Sequence, residues 1–339
     1  MSVLAHARLE LPFDQLKTWL INAPIFEDRG RMDPDGSLHL TFGIGTVLAK
    51  VQEDHSALVL TSPDAASLQF LRDYISDTAS EAGVSPIWQE RHSRGKPANF
   101  CLARVEKVEQ VSPSFRRLWL EGADLSALLG KGLHFRLLLG PKGEGWPWVD
   151  ERGLTLWPGG AGVWHRPVYT VRSLESGAGT TRISVDVFLH KGGRVTEWSE
   201  GLQGGEAVGL MGPSGGDVPE GSGLPTPWFG LFGDETALPA IARILGALPV
   251  DAVGEAVILV PLPEDEQVLR HPAGIKIRWL HRRAGGDLTD IVAQTQIPRE
   301  NRFVFFAAGS RLTVAARQIL AAKGLSKAEF WAQSYWQDG

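Results

Sequence analysis

A single cysteine, Cys101, in 339 residues rules out any disulfide within the chain and any zinc or iron–sulfur centre built on several thiolates. Between Phe100 and Leu102 it reads as a small apolar filler on a strand. No run of about 18 consecutive apolar residues occurs, so no membrane-spanning helix is expected. The N-terminus shows no apolar stretch with a cleavage site, and the expected location is the cytoplasm. Positive charge is not in excess either. Lys and Arg number 34 against 39 Asp and Glu, a net charge of −5, and no basic run points to nucleic acid. No cluster of His, Cys and carboxylates has metal-ligand spacing. A Gly-x-Gly-x-x-Gly fingerprint is missing too, so a bound dinucleotide would lie differently from a standard Rossmann complex.

What is present suits two or three domains with ordinary cores, at 43% hydrophobic and 22% charged residues. Residues 1–95 read as a small α+β domain. Pro12 precedes helical spacing at Phe13, Leu16, Trp19 and Leu20. Asp33-Pro34-Asp35-Gly36 is a turn signal, followed by alternating runs at 39–43, 46–51 and 57–61. Ser62-Pro63-Asp64 leads into a helix carrying Leu68, Leu71 and Ile75. The polar stretch Ser93–Pro97 reads as a linker, so this block is expected to be separable from the rest.

From 96 to 224, six extended runs alternate with Gly and Pro: 100–108, 115–121, 134–139, 169–173, 182–188 and 207–211. That pattern predicts a small antiparallel β-barrel. Trp146, Trp148, Trp157 and Trp164 crowd one part of it, as packed rim aromatics. From 225 to 339 the rhythm becomes strand, helix, strand. Apolar runs at 228–232, 256–261, 275–280, 303–308 and 330–333, with helices at 237–248 and 313–323, predict an open parallel sheet with covering helices.

The densest chemistry lies in His165-Arg166-Pro167-Val168-Tyr169-Thr170-Val171-Arg172. A guanidinium presents a planar fork to phosphate oxygens. Tyr169 offers a flat apolar face, and Thr170 can exchange hydrogen bonds with a ring heteroatom. Downstream, Asp186 through Trp198 ends a strand and carries His190, Gly192-Gly193, Val195 and Thr196 into a helix start, where backbone can approach a pyrophosphate. Gly233-Asp234-Glu235-Thr236-Ala237 turns from strand to helix, the place where open α/β sheets bind ligands. The chain closes on Tyr335-Trp336-Gln337-Asp338-Gly339.

The arginine, Tyr-Thr, arginine order resembles the flavin-binding motif of the ferredoxin reductase superfamily. With 186–198, Gly212-Pro213, 233–245 and the closing motif, in that order, residues 97–339 resemble the siderophore-interacting proteins, FAD-containing ferric-siderophore reductases. Residues 1–95 resemble a small domain of unknown function found fused ahead of such proteins. The resemblance implies that Arg166 and Arg172 contact the FAD phosphates, that Tyr169 lies along the isoalloxazine, and that Thr170 bonds near its N5. These two, Tyr169 and Thr170, are the candidate catalytic residues. His190, Gly193, Val195 and Thr196 form a second FAD contact, and Gly233, Asp234 and Thr236 mark the nicotinamide side. Trp336 or Tyr335 is expected over one flavin face. The implied partner is a ferric siderophore, with NADH, NADPH or reduced ferredoxin as donor and with no nucleic acid. Ser310 and Gln337 depart from the family pattern, where Glu and a basic residue are usual. An electron-transfer reductase for another acceptor, and a flavin or siderophore carrier without turnover, therefore stay open. Asp265 and its neighbours would repel a 2′-phosphate, whereas Arg270, Arg278, Arg282 and Arg283 would favour one.

Overall fold

A computed structural model describes residues 2–337 except 24–29, 53–54, 124, 130–131, 177–178 and 215–226. The expected domain boundary near 224 and the last two residues of the closing motif, Asp338 and Gly339, lie outside the described residues. The chain divides into two compact units, each assembled from several segments. One contains Met1–Ala103, Asp124–Val168 and Val208–Asp217; the other contains Arg104–Ala123, Tyr169–Ala207 and Val218–Gly339. No helix among the described residues is long and apolar enough to cross a membrane.

In the first unit, β1 (Val3–Leu9), α1 (Phe13–Asn22), β2 (Gly30–Met32), β3 (Leu38–Phe42), β4 (Gly45–Val51), β5 (Ser56–Ser62), α2 (Ala65–Glu81) and β6 (Ile87–Trp88) follow in chain order. The strands form one sheet in the order β2-β3-β4-β5-β1-β6. Period-two burial along β5 puts Leu58 and Leu60 inside with Ala5, Ala7 and Leu9 of β1, under Leu16, Leu20, Leu71 and Ile75 of the two helices. Asp64 caps α2 by accepting from Ser67 N at 2.8 Å. Strand β1 was not foreseen. Alanines at two of its inward positions mute the β signal, and only pairing with both β5 and β6 makes it a strand.

Part of the polar side of α2 faces the chain and not solvent. Gln69 Nε2 donates to Gly153 O at 2.9 Å and Arg72 Nη1 to Arg152 O at 2.9 Å. Asp73 accepts from Thr155 N at 2.9 Å and Thr155 Oγ1 at 2.6 Å. Residues 65–81 are thus bound into the loop at 150–155, and removing α2 would leave this set of donors and acceptors without partners.

Residues 100–214 supply β7 (Phe100–Ser112), β8 (Phe115–Gly122), β9 (His134–Leu138), β10 (Trp148–Val149), β11 (Thr155–Leu156), β12 (Val168–Thr170), β13 (Ser173–Ser176), β14 (Thr181–Phe188), α3 (Arg194–Glu200) and β15 (Ala207–Ser214). Each of the six expected runs contributes a strand, the run at 169–173 being split between β12 and β13 at Val171-Arg172, and the pairings of β7 with β8, β8 with β14 and β9 with β15 are antiparallel. In the first unit β9 pairs with β15. Trp146, Trp157 and Trp164 pack there with Phe100, Leu138 and Met211. In the second unit β7, β8, β14 and β13 pair in sequence, burying Leu118, Leu120, Ile183 and Val185.

The second unit continues with β16 (Trp228–Gly233), α4 (Leu238–Ala247), β17 (Val253–Val260), β18 (Gly274–His281), α5 (Leu288–Gln294), β19 (Arg302–Gly309), α6 (Ser310–Ala322) and β20 (Phe330–Trp336). The five strands are parallel in the order β18-β17-β16-β19-β20. Central β16 and β19 are buried on both faces, which explains their unbroken apolar runs. Helix α5 escaped the sequence reading because its seven residues are too few to show a period; Asp287 caps it by accepting from Thr289 N at 2.7 Å. The mixed class, with an antiparallel sheet and a parallel α/β sheet, is the one expected.

Candidate functional site

Strand β12 delivers Tyr169 half-buried and Thr170 buried. Burial pushes the Tyr169 phenol well up from its ordinary value, so it stays neutral at any working pH. Two residues on, Arg172 turns to a carboxylate already engaged. Arg117 grips Asp186 with Nε on Oδ1 at 2.6 Å and Nη2 on Oδ2 at 2.9 Å, a bidentate pair on a fully buried acid. Arg172 Nε lies 3.8 Å from Asp186 Oδ2, and its Nη2 donates to Gln267 Oε1 at 3.1 Å. Burial lowers the Arg172 pKa, with Asp186 opposing that shift and Arg117 adding to it. Two donors in this cluster, Arg172 Nη1 and Gln267 Nε2, are buried with no protein partner. A pair of guanidiniums sharing one carboxylate, beside two unsatisfied N–H groups, fits an anionic or carbonyl-bearing ligand such as the phosphates or ring oxygens of a flavin.

The end of β14 carries a second feature. The Phe188 ring stacks on His190 with centroids 6.3 Å apart and planes at 22°. Gly192 sits at φ +75°, and a side chain on Gly193 would put Cβ 2.6 Å from His190 Nε2 and 3.0 Å from Thr196 Oγ1. A larger residue there would have to displace the imidazole. His190 N donates to Thr196 Oγ1 at 3.2 Å, which folds the loop back on the first turn of α3, where Val195 and Thr196 are buried. No side chain caps α3, so its first amides are the groups a pyrophosphate would use.

Arg166 belongs to the first unit and has surroundings of its own. Its guanidinium lies over the Trp157 ring, 4.6 Å from the centroid, and its carbonyl accepts from Arg136 Nη1 at 3.0 Å.

At the carboxyl ends of the parallel strands, three motifs meet. The Asp234 carboxylate is wholly buried; Oδ1 accepts from Thr236 N at 2.9 Å and Thr236 Oγ1 at 2.6 Å, and Oδ2 accepts from Trp336 Nε1 at 2.8 Å. A Cβ on Gly309 would lie 2.7 Å from Trp336 Cζ2, so the glycine is what lets the indole pack at the end of β19. A Cβ on Gly233 would likewise meet Ala237 Cβ at 2.5 Å and Ala307 O at 2.9 Å, so the strand-to-helix turn is equally tight. Burial, and then the Asp234 charge, push the Tyr335 phenol up. Arg282 Nε donates to both Glu235 oxygens at 3.0 Å, and Arg282 Nη2 lies 3.7 Å from Asp234 Oδ2. Burial first and Asp234 second raise the Glu235 pKa, against Arg282.

These contacts correct the reading of the donor pocket. Arg282 is committed to Glu235 rather than free for a 2′-phosphate. Asp265 is buried and accepts from Ser112 Oγ, Ser114 N, Ser114 Oγ and Leu262 N at 2.7 to 3.2 Å, so it ties loops together instead of facing a ligand. Arg317 and Lys323 donate to the carbonyls of Ala332 and Thr295. Sequence reasoning missed Arg117, Asp186 and Gln267 as a cluster. The available signal was Asp186 itself, an acid between Val185 and Val187 on a buried strand, which requires a cation.

An antiparallel sheet followed by a five-stranded parallel sheet gives a fold similar to that of an Amycolatopsis cytochrome P450 reductase, with a TM-score of 0.54 and 18% identity over 77% of this chain and 82% of that one. Residues 104–217 match the siderophore-interacting FAD-binding domain, and residues 226–339 match the siderophore-interacting protein domain. The chain belongs to the siderophore-interacting protein family. Its fold is similar to that of a siderophore utilization protein from T. fusca, with a TM-score of 0.61 and 28% identity over 74% of this chain and 95% of that one. It is 29% identical over 248 residues to the ferric vibriobactin reductase of Vibrio cholerae, covering 69% of this chain and 88% of that one. An uncharacterized protein of Mycobacterium tuberculosis is 40% identical over 123 residues, which span 36% of this chain and only 42% of that relative.

Proposed function

We propose that this chain is an FAD-dependent reductase of ferric siderophores with NAD(P)H as donor, acting in the cytoplasm. Residues 1–95 would form an accessory domain, 96–224 the flavin barrel and 225–339 the nicotinamide-type domain. The observation that carries the reading is the pair of buried, partnerless donors on Arg172 and Gln267, in the same unit as the tight Gly192-Gly193 loop. Bound FAD supplies the redox chemistry, accepting a hydride's two electrons and releasing them singly.

The chain's own residues bind, orient and shield. Arg172 and Gln267 hold ligand oxygens, and the amides of Val195 and Thr196 hold phosphate. Tyr169 would pack against the flavin as a neutral phenol. Thr170 would offer it a hydroxyl able both to donate and to accept. Trp336, fixed by Asp234, would shield the flavin and would have to yield for a nicotinamide. Iron stays with its chelator as substrate: hard Fe(III) is held by anionic oxygens, and the lower charge of Fe(II) weakens that hold, so no protein ligand to the metal is required.

The purified protein should be yellow, with one FAD per chain. Under anaerobic conditions NADH or NADPH should bleach the flavin band and a ferric siderophore should restore it, with Fe(II) captured by a ferrous chelator. A colourless protein that does not take up added FAD overturns the proposal; a flavin that is bleached but restored only by quinones or proteins overturns the substrate.

A further inference from the structure

Two acids stand side by side where β16 turns into α4, and one cation answers both. Asp234 has no exposed surface and Glu235 is 5% exposed. Asp234 is supplied with neutral donors by Thr236 and by Trp336 Nε1, and Arg282 only approaches it, at 3.7 Å. The charged partner of Glu235 is Arg282, whose Nε donates to both carboxylate oxygens at 3.0 Å. Among the described residues no second cation forms an ion pair with either acid. Tyr335, the other titratable group facing Asp234, stays neutral, because burial and that charge push its phenol up. With both acids ionised, the cluster carries one more negative charge than positive, in a place with little water.

The carboxyl end of a central strand is also where an open parallel sheet receives an anionic ligand. The first turn of α4 offers a phosphate few amides. Those of Ala237 and Leu238 already donate to Asp234 O at 3.0 and 3.1 Å, and Pro239 has no amide proton. Arg282 is the cation within reach: its side chain is 37% exposed, against 7% for Glu235. Its Nε and Nη2 are engaged with the acids, and its Nη1 has no hydrogen-bond partner among the described residues. While Glu235 is ionised, the charge of Arg282 is spent on it. A proton on Glu235 leaves a carbonyl oxygen to accept from Nε and returns a whole positive charge to the strand end. Burial first and Asp234 second push the Glu235 pKa up while Arg282 holds it down, so an arriving anion that competes for Arg282 moves it further the same way.

We infer that Glu235 is a proton-uptake residue for donor binding: as the pyrophosphate of a nicotinamide dinucleotide reaches the end of β16, Glu235 takes a proton from solvent and the charge of Arg282 passes to the phosphate. Glu235 acts through Arg282, as a positioning residue, and touches no reacting atom. The inference rests on the donor reading above. By linkage, a proton taken up on binding makes the donor bind more tightly as pH falls.

The test is calorimetric titration of the FAD-loaded protein with NAD+ and with NADP+, oxidised forms that bind without electron transfer, in phosphate and in Tris. The two buffers differ in ionisation enthalpy, so the difference in heat counts the protons exchanged. The unaltered protein should take up about one proton more per nucleotide than Glu235→Gln, a comparison that also removes any proton exchanged by the 2′-phosphate of NADP+. Its affinity relative to that variant should rise by up to about tenfold for each unit of pH between about 8 and 6. Glu235→Gln is neutral at every pH and should bind the nucleotide more tightly than the unaltered protein at the upper end of that range; a residue that only braced the turn would lose affinity when altered. Arg282→Met should abolish the extra proton, and Arg282→Lys should restore it. Flavin absorbance and a melting curve establish that each variant is folded; if Glu235→Gln is not, the same proton count is taken against Arg282→Met. Nucleotide binding with equal proton counts in the unaltered protein and the variant overturns the inference and leaves the donor reading intact. Failure of both nucleotides to bind overturns the two together.

Discussion

Trp336 has one polar atom, and that atom donates to a carboxylate with no access to water. The bond does two things at once: it gives buried Asp234 a third donor and fixes the indole of Trp336, a residue 37% exposed, over Gly309. Trp336→Phe keeps most of the ring and removes the donor. It should cost about 1–3 kcal/mol by urea denaturation, the usual penalty for leaving a buried acceptor short of a partner. Trp336→Ala should also brighten the fluorescence of bound flavin and speed its reduction by nicotinamide, measured by stopped flow. If neither signal changes, Trp336 does not lie over the ring, and its contact with Asp234 only closes the strand.

At the scale of elements, the turn from α6 into β20 positions that indole, and Glu329 holds the turn. Its carboxylate accepts from Arg302 Nε at 2.9 Å, Ser326 N at 2.7 Å and Ser326 Oγ at 2.8 Å. Arg302 in turn donates to Pro298 O at 2.8 Å and Gly324 O at 2.7 Å, so one guanidinium pins two loops at the start of β19. The Arg302 hydrogen bond first, then the Ser326 amide and hydroxyl, lower the Glu329 pKa to about 2 from an ordinary 4.5. A depressed folded-state pKa means stability that is present above the unfolded value and lost as pH falls through the folded one. Glu329→Gln should therefore flatten the melting temperature against pH between about 4.5 and 2, where the unaltered protein should fall. Parallel curves for the two proteins would show that the turn is not held by the ionised carboxylate.

On the scale of the whole chain, the docking of α2 on residues 150–155 shapes how stability responds to pH. Burial raises the Asp73 pKa to about 6 from 3.8, against the Thr155 and Gln69 hydrogen bonds that favour its ionised form. Here the sign is reversed. The folded protein binds the proton more tightly than the unfolded chain, so the contribution of Asp73 is full at low pH and is lost as pH rises from about 4 through 6. Urea midpoints at pH 4, 5, 6 and 7 should decline across that window more steeply for the unaltered protein than for Asp73→Asn. Equal slopes would place the titration elsewhere.

Local rules settled a large part of this protein. Gly and Pro punctuation separated the antiparallel runs, and unbroken apolar stretches marked the buried parallel strands, because both signals depend only on a residue's own conformation and on water. Glycines that a turn requires, Gly192 at φ +75° and Gly233 beside Ala237, were legible for the same reason. Partner choice was not legible. That Arg172 and Arg117 share Asp186, that Arg282 answers Glu235 and not a ligand, and that α2 turns its polar side to a loop 80 residues away follow from strand register and loop path. A charged side chain reads the same in sequence whether it meets water, a ligand or an opposite charge. Only the tertiary structure decides which of these lies within 4 Å, since contacts between distant segments are set by the packing of the whole chain and by no single stretch of it.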